Sequence, residues 1–156
     1  METFIITGGT PLRGEVTLGG AKNVALKVLV ASLLTDEELV IENVPDIRDV
    51  QLMVEVLQSL GVHISRHGST VTATNKHTNQ QRVPLGLGAR LRTSSMVIGP
   101  LLARYGSAMI PNPGGCRIGA RPIDRHITAL RQMGAVIDYR SDDGYFYATA
   151  PTALTG

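Results

Sequence analysis

Hydrophobic positions along the chain fall into two matching series. Val50, Val54, Leu57 and Leu60 recur at i, i+4, i+7 and i+10, and Ile123, Ile127, Leu130 and Met133 recur at the same intervals. That spacing places each set on one face of a helix, and each run ends at a glycine, Gly61 or Gly134, suited to a left-handed C-terminal cap. Segments rich in β-formers follow in both places, at residues 62–66 and 70–74 and again at 136–140 and 145–149. A polar or glycine turn separates the members of each pair, which predicts two hairpins.

Upstream the same order holds. The mostly apolar stretch 23–34 leads into a predicted strand at 39–43, and 93–103 leads into one at 107–111. Helices that are apolar almost all round are expected to be buried, with Pro100 bending the second. Copy one opens with a predicted strand at 15–18, and a less regular counterpart stands at 82–85. The predicted unit is β-α-β-α-β-β, repeated over 15–74 and 82–150. The predicted fold is mixed α and β (α+β), with sheets that face solvent on one side.

The copies differ in one interval. Leu33 to Leu57 spans 24 steps, whereas Leu101 to Leu130 spans 29, so copy two carries about five extra residues before its amphipathic helix. The longer loop contains Pro113-Gly114-Gly115-Cys116-Arg117-Ile118-Gly119-Ala120-Arg121-Pro122. A lone cysteine is most often a small buried hydrophobe. Glycines and arginines cannot pack a core around sulfur, however, and guanidinium groups favour the thiolate, so Cys116 reads as a site for chemistry. Two further elements are cationic. Gly19-Gly20-Ala21-Lys22-Asn23 begins the first apolar helix, where glycine allows close backbone approach and helix amides with Lys22 favour an anion. Ala89-Arg90-Leu91-Arg92-Thr93-Ser94 opens the equivalent helix, and Arg92 offers a planar fork to an oxyanion.

Composition narrows the classes. The 156 residues are 43% hydrophobic and 18% charged, which is ordinary for a globular domain. One cysteine cannot form an internal disulfide, so a reducing cytoplasm is the expected compartment, and the acidic start Met1-Glu2 is no secretory signal. Residues 24–34 are interrupted by Lys27 and Ser32 and are too few to span a bilayer. A net charge of +2, dispersed basic residues and only two Phe and four Tyr argue against nucleic acid. His63, His67, His77 and His126 show no metal-binding pair on a helix and are expected on the surface.

Gly20-Ala21-Lys22-Asn23, Leu91-Arg92-Thr93-Ser94 and above all the cysteine-loop string with Asp124 and His126 resemble the UDP-N-acetylglucosamine 1-carboxyvinyltransferases, enolpyruvyl transferases of peptidoglycan precursor synthesis. The shikimate-pathway enolpyruvyl transferases share the repeat plan but begin the first helix differently and lack such a cysteine loop. The resemblance implies that Lys22 and Asn23 hold phosphoenolpyruvate and that Cys116 donates a proton to its C3. It implies that Arg92, Arg121, Pro122, Ile123, Asp124 and Arg125 serve the UDP-sugar, although Arg125 departs from the apolar residue expected there. The implied reaction adds the sugar 3-hydroxyl to C2 of phosphoenolpyruvate, passes through a tetrahedral phosphate ketal and expels phosphate, with no cofactor or metal.

The resemblance also implies two lobes of three repeats each, helices inside and sheets outside. This chain accounts for one partial lobe, residues 1–156, and little activity is expected of it alone. An open core predicts self-association or a complementing second lobe. The alternatives are a catalytically silent binding or assembly module of the same fold, a shikimate-pathway type enolpyruvyl transferase as second choice within the superfamily, and an unrelated thiol enzyme using His126 as base.

Overall fold

In the computed structural model the described residues are 3–76, 78, 80–114 and 122–156. Copy one contains α1 (Lys22–Ala31) with a 3-10 turn at Ser32–Leu34, β1 (Leu39–Ile41), α2 (Arg48–Ser59), β2 (His63–His67) and β3 (Thr70–Thr74). A short α3 (Leu85–Gly88) intervenes. Copy two contains a 3-10 segment (Arg92–Val97) that runs into α4 (Ile98–Tyr105), then β4 (Ser107–Pro111), α5 (Asp124–Gln132), β5 (Val136–Arg140) and β6 (Tyr145–Thr149).

The repeat is visible in the sheets. Each is antiparallel and three-stranded, in the orders β1-β3-β2 and β4-β6-β5, with Leu39 opposite Ala73 in one and Ser107 opposite Thr149 in the other. Alternation selects the inner face: Val71 and Ala73 of β3 are buried, while Thr70, Thr72 and Thr74 between them are only half covered. Three predicted strands in the hairpins agree with the structure residue for residue, and the fourth is displaced by one, to His63–His67. The strand expected at 39–43 stops at Ile41, two residues before Asn43 turns into positive φ of 55°. Gly61 (φ 104°) and Gly134 (φ 101°) take the left-handed caps that the two stripes called for.

The core lies between α1, α2 and the inner sheet faces. Ala25, Leu26, Leu29 and Val30 of α1 meet Val50, Met53, Val56 and Leu57 of α2, and burial of each large apolar side chain contributes about 1.5–3 kcal/mol. The copies are sewn together at the end of α1. Arg104 of α4 donates to the Leu33 carbonyl at 3.2 Å and pairs with Asp36 at 3.0 Å, satisfying a carbonyl that the helix end leaves unpaired. Asn75 Nδ2 donates to the Tyr105 hydroxyl at 3.1 Å beside it.

Three expectations are corrected. Residues 15–18 form no strand, and Val16 and Leu18 are 87% and 85% exposed. An alternating pattern gains nothing unless a sheet edge lies alongside, and no described strand pairs with it. The strand expected at 82–85 shrinks to a single parallel bridge between Arg82 and Met109, because Pro84 has no N–H to extend the ladder and instead precedes α3. The apolar helix of copy one is buried on one side only, with Val24 and Val28 59% and 38% exposed. Pro100 falls in the first turn of α4, where the change from 3-10 to α geometry absorbs its missing donor. The expected surface positions of His63, His67 and His126 are observed, both of the first two on β2, while His77 lies outside the described residues. None of the described helices is long and apolar enough to cross a membrane.

Candidate functional site

The two cations singled out in the sequence occupy equivalent places. Lys22 is the first residue of α1 after the extended Ala21, and Arg92 is the first of the 3-10 segment after the extended Leu91. Each reaches the start of its own copy's amphipathic helix. Lys22 Nζ lies 2.8 Å from Asp49 Oδ2 in the first turn of α2, and Arg92 Nη2 donates to the Pro122 carbonyl at 3.2 Å, just before α5. The second bond joins two of the predicted sugar-binding elements. Asp49 was not singled out in the sequence, although an acid in a first helical turn facing a cationic loop is a readable signal.

Backbone contact explains a glycine in each copy. A Cβ at Gly20 would fall 1.7 Å from the Asn43 carbonyl oxygen, and one at Gly114 would fall 2.0 Å from the Ala89 oxygen. In both copies the loop entering the inner helix presses on the loop leaving the strand that follows that helix. Gly20 therefore serves contact between two stretches of protein backbone, a firmer requirement than the approach to a ligand inferred from sequence.

Asn23, Pro122, Asp124 and Arg125 are exposed, whereas Ile123 is buried to 7% and caps α5. Ile123 also lines an apolar cleft of about 260 Å³ between α5 and the 3-10–α4 helix, together with Met96, Ile98, His126, Ile127 and Leu130. α1 packs against the 3-10 segment, so the Lys22 and Arg92 clusters stand at the ends of adjacent helices. Among the described residues no hydrogen bond or ion pair links one cluster to the other. Cys116 and Arg121 lie outside the described residues.

A clamp absent from the sequence reading closes the stem of the long loop. The Tyr147 hydroxyl donates to Asp143, Asp143 also accepts from the Tyr145 amide at 3.1 Å, and Tyr145 Oη donates to the Val83 carbonyl at 3.0 Å. Arg82 stacks 4.3 Å from the Tyr145 ring centre and Arg140 4.1 Å from that of Tyr147. The Asn112 amide donates to the Gly144 carbonyl at 2.8 Å, so the clamp fastens the β5–β6 turn to the residue where the loop begins. The Tyr147 hydrogen bond, aided by the Tyr145 amide, holds the Asp143 carboxyl below its ordinary range, and the same bond raises the Tyr147 phenol. Among the described residues no group of His, Cys, Asp and Glu is placed to hold a metal.

Comparison with known proteins decides the family. The family model described as EPSP synthase (3-phosphoshikimate 1-carboxyvinyltransferase) matches residues 6–153. The chain belongs to the EPSP synthase family. These enolpyruvyl transferases include proteins named UDP-N-acetylglucosamine 1-carboxyvinyltransferase, to which this chain is similar. It is 44% identical to one from Acinetobacter baylyi over all of its length and 37% of the relative's, and 45% identical to one from Idiomarina loihiensis with the same coverage. The chain thus spans about 37% of the length of these curated relatives. In fold it is similar to the enolpyruvyl transferase NikO from Streptomyces tendae, with a TM-score of 0.78 at 23% identity, over 94% of this chain and 32% of that one. An EPSP synthase from Acinetobacter baumannii follows with a TM-score of 0.66 at 20% identity, over 92% and 33%.

Proposed function

We propose that this member of the EPSP synthase family contributes part of the active site of a cytoplasmic enzyme of peptidoglycan precursor synthesis. That enzyme transfers the enolpyruvyl group of phosphoenolpyruvate to the 3-hydroxyl of UDP-N-acetylglucosamine. The observation that carries the reading is the Arg92 to Pro122 hydrogen bond, which brings an arginine at a helix start onto the residue before Ile123 and α5, beside names shared by relatives 44% identical over the whole chain. In this reading Lys22 and Asn23 bind phosphoenolpyruvate, and Arg92, Arg121, Pro122, Ile123, Asp124 and Arg125 line the UDP-sugar site. Cys116 protonates C3 of phosphoenolpyruvate as the sugar oxygen bonds to C2 and gives its own proton to a base supplied from outside this chain; phosphate then leaves C2 of the tetrahedral ketal as C3 gives up a proton, which restores the enolpyruvyl double bond. Cations beside the phosphate and carboxylate offset their charge through that passage. Proton donation needs the thiol while neighbouring arginines favour the thiolate, so the cysteine works in balance between them.

The repeat supports a third unit in the same lobe. α2 is covered by α1, by α3 and by the 3-10 segment of the following copy, whereas α5 rests chiefly on β5, with an apolar cleft between it and α4 and, among the described residues, no following copy to cover its outer side. A further repeat, or a second lobe, covers it in this reading, and turnover depends on groups supplied from there. The test is phosphate release from phosphoenolpyruvate and UDP-N-acetylglucosamine, by the chain alone and mixed with a complementing lobe. Little release alone and recovery on mixing is expected, with loss on Cys116→Ser and retention on Cys116→Asp. No release in either mixture overturns the reading and favours a silent assembly module.

A further inference from the structure

Lys22 is the cation that the proposed function assigns to phosphoenolpyruvate, and the structure already gives it an acidic neighbour. Asp49 Oδ2 stands 2.8 Å from Lys22 Nζ, across 27 residues of sequence and from a different helix. Both side chains are partly exposed, so solvent screens the pair and its intrinsic strength is small. Its position is nonetheless fixed from two sides. Gly20, two residues before Lys22, presses on the Asn43 carbonyl, and Pro45 meets the same glycine, so the start of α1 is held against the loop leading to α2. Asp49 sits in the first turn of α2, where the helix dipole favours a carboxylate. The second copy makes the equivalent reach with a neutral acceptor: Arg92 bonds the Pro122 carbonyl, and among the described residues no carboxylate forms an ion pair with it.

We infer that Asp49 is a positioning residue for Lys22, the internal counter-ion that the ammonium keeps while the site is empty and leaves when an anion arrives. A phosphate or carboxylate entering at Lys22 must compete with a carboxylate already there. Asp49 therefore sets a threshold on anion binding at Lys22. Arg92, tied to a carbonyl, imposes no such threshold. This inference rests on the reading of Lys22 as a phosphoenolpyruvate ligand.

The test is a titration of the 156-residue chain with phosphoenolpyruvate and, separately, inorganic phosphate, followed at the side-chain nitrogen resonance of Lys22, for the natural protein and for Asp49→Asn. Asparagine keeps the shape and a hydrogen-bond acceptor but no charge. Removal of one weak, screened counter-ion is expected to tighten phosphoenolpyruvate and inorganic phosphate alike, by about twofold to fivefold at low salt, with the gain fading as salt rises. Asp49→Ser, a second variant, repeats the measurement with circular dichroism as the check on folding. A purely structural role for Asp49 would lower the melting temperature without tightening either ligand. If Lys22 responds to phosphoenolpyruvate but neither variant binds more tightly, this inference falls and the ligand assignment stands. If the Lys22 resonance ignores phosphoenolpyruvate altogether, the ligand assignment falls and takes this inference with it.

Discussion

The two copies present the same hydrophobic stripe with different results. In α2 the residues Val50, Leu52, Met53, Val56 and Leu57 are buried, whereas in α5 only Ile127 is. The helices differ little in pattern and much in what packs on them. α2 lies along α1 and is covered again by α3 and the 3-10 segment, while α5 rests chiefly on β5 and leaves an apolar cleft toward α4. A stripe therefore predicts which face turns inward, and the neighbouring element decides how far inward it goes.

The strongest way to break this comparison is to cut a side chain from each helix. Met53→Ala is expected to cost about 2–5 kcal/mol, and Ile127→Ala about 2 kcal/mol or less, because the cleft already borders the second site. Urea denaturation midpoints measure both, and equal losses would show that α5 is as deeply packed as α2. Next come two adjacent glycines at the first candidate anion site. Gly20→Ala forces a carbonyl to move and is expected to destabilise by about 1–3 kcal/mol, while Gly19→Ala, with open space around it, leaves the midpoint nearly unchanged. A smaller effect sharpens the likeness of the copies. Gly134→Ala meets no atom but must hold positive φ, so thermal melting should register about 1–2 kcal/mol from the backbone alone.

The smallest effect belongs to the clamp that only copy two possesses. Asp143 has its carboxyl held low in the folded protein, so its contribution is present above the unfolded value and is lost as pH falls through the folded one. Tyr147, whose phenol is raised, contributes below its unfolded value and loses that contribution as pH rises through the folded one. Tyr147→Phe should lower the melting temperature slightly at neutral pH. That difference should begin to shrink as pH falls past the ordinary carboxylate value of about 4 and be lost as it falls through the lower folded value of Asp143. An unchanging difference across the acid range would remove Asp143 as the acceptor that matters.

Local chemistry was legible where a residue's own backbone or its near neighbours settle the outcome. The hairpins at 70–74 and 136–149, the caps at Gly61 and Gly134 and the cations Lys22 and Arg92 at helix starts all follow from spacing, β-propensity and glycine's freedom at positive φ. The pairing of Lys22 with Asp49 and of Arg92 with Pro122 was not legible, since it depends on which loops the fold presses together. The clamp of Arg82, Tyr145, Asp143 and Tyr147 escaped for the same reason, because its members come from the approach to β4 and from the last hairpin.

The sequence by itself determined the order of helices and later strands in each half and the inward face of each amphipathic helix, because those follow from periodicity and turn residues a few positions apart. Tertiary structure alone decided that residues 15–18 remain unpaired, that α1 buries a single face and that α5 borders a cleft. A strand needs an edge to hydrogen-bond, and an apolar side chain needs a surface to exclude water against. Neither need can be met from within the segment that has it.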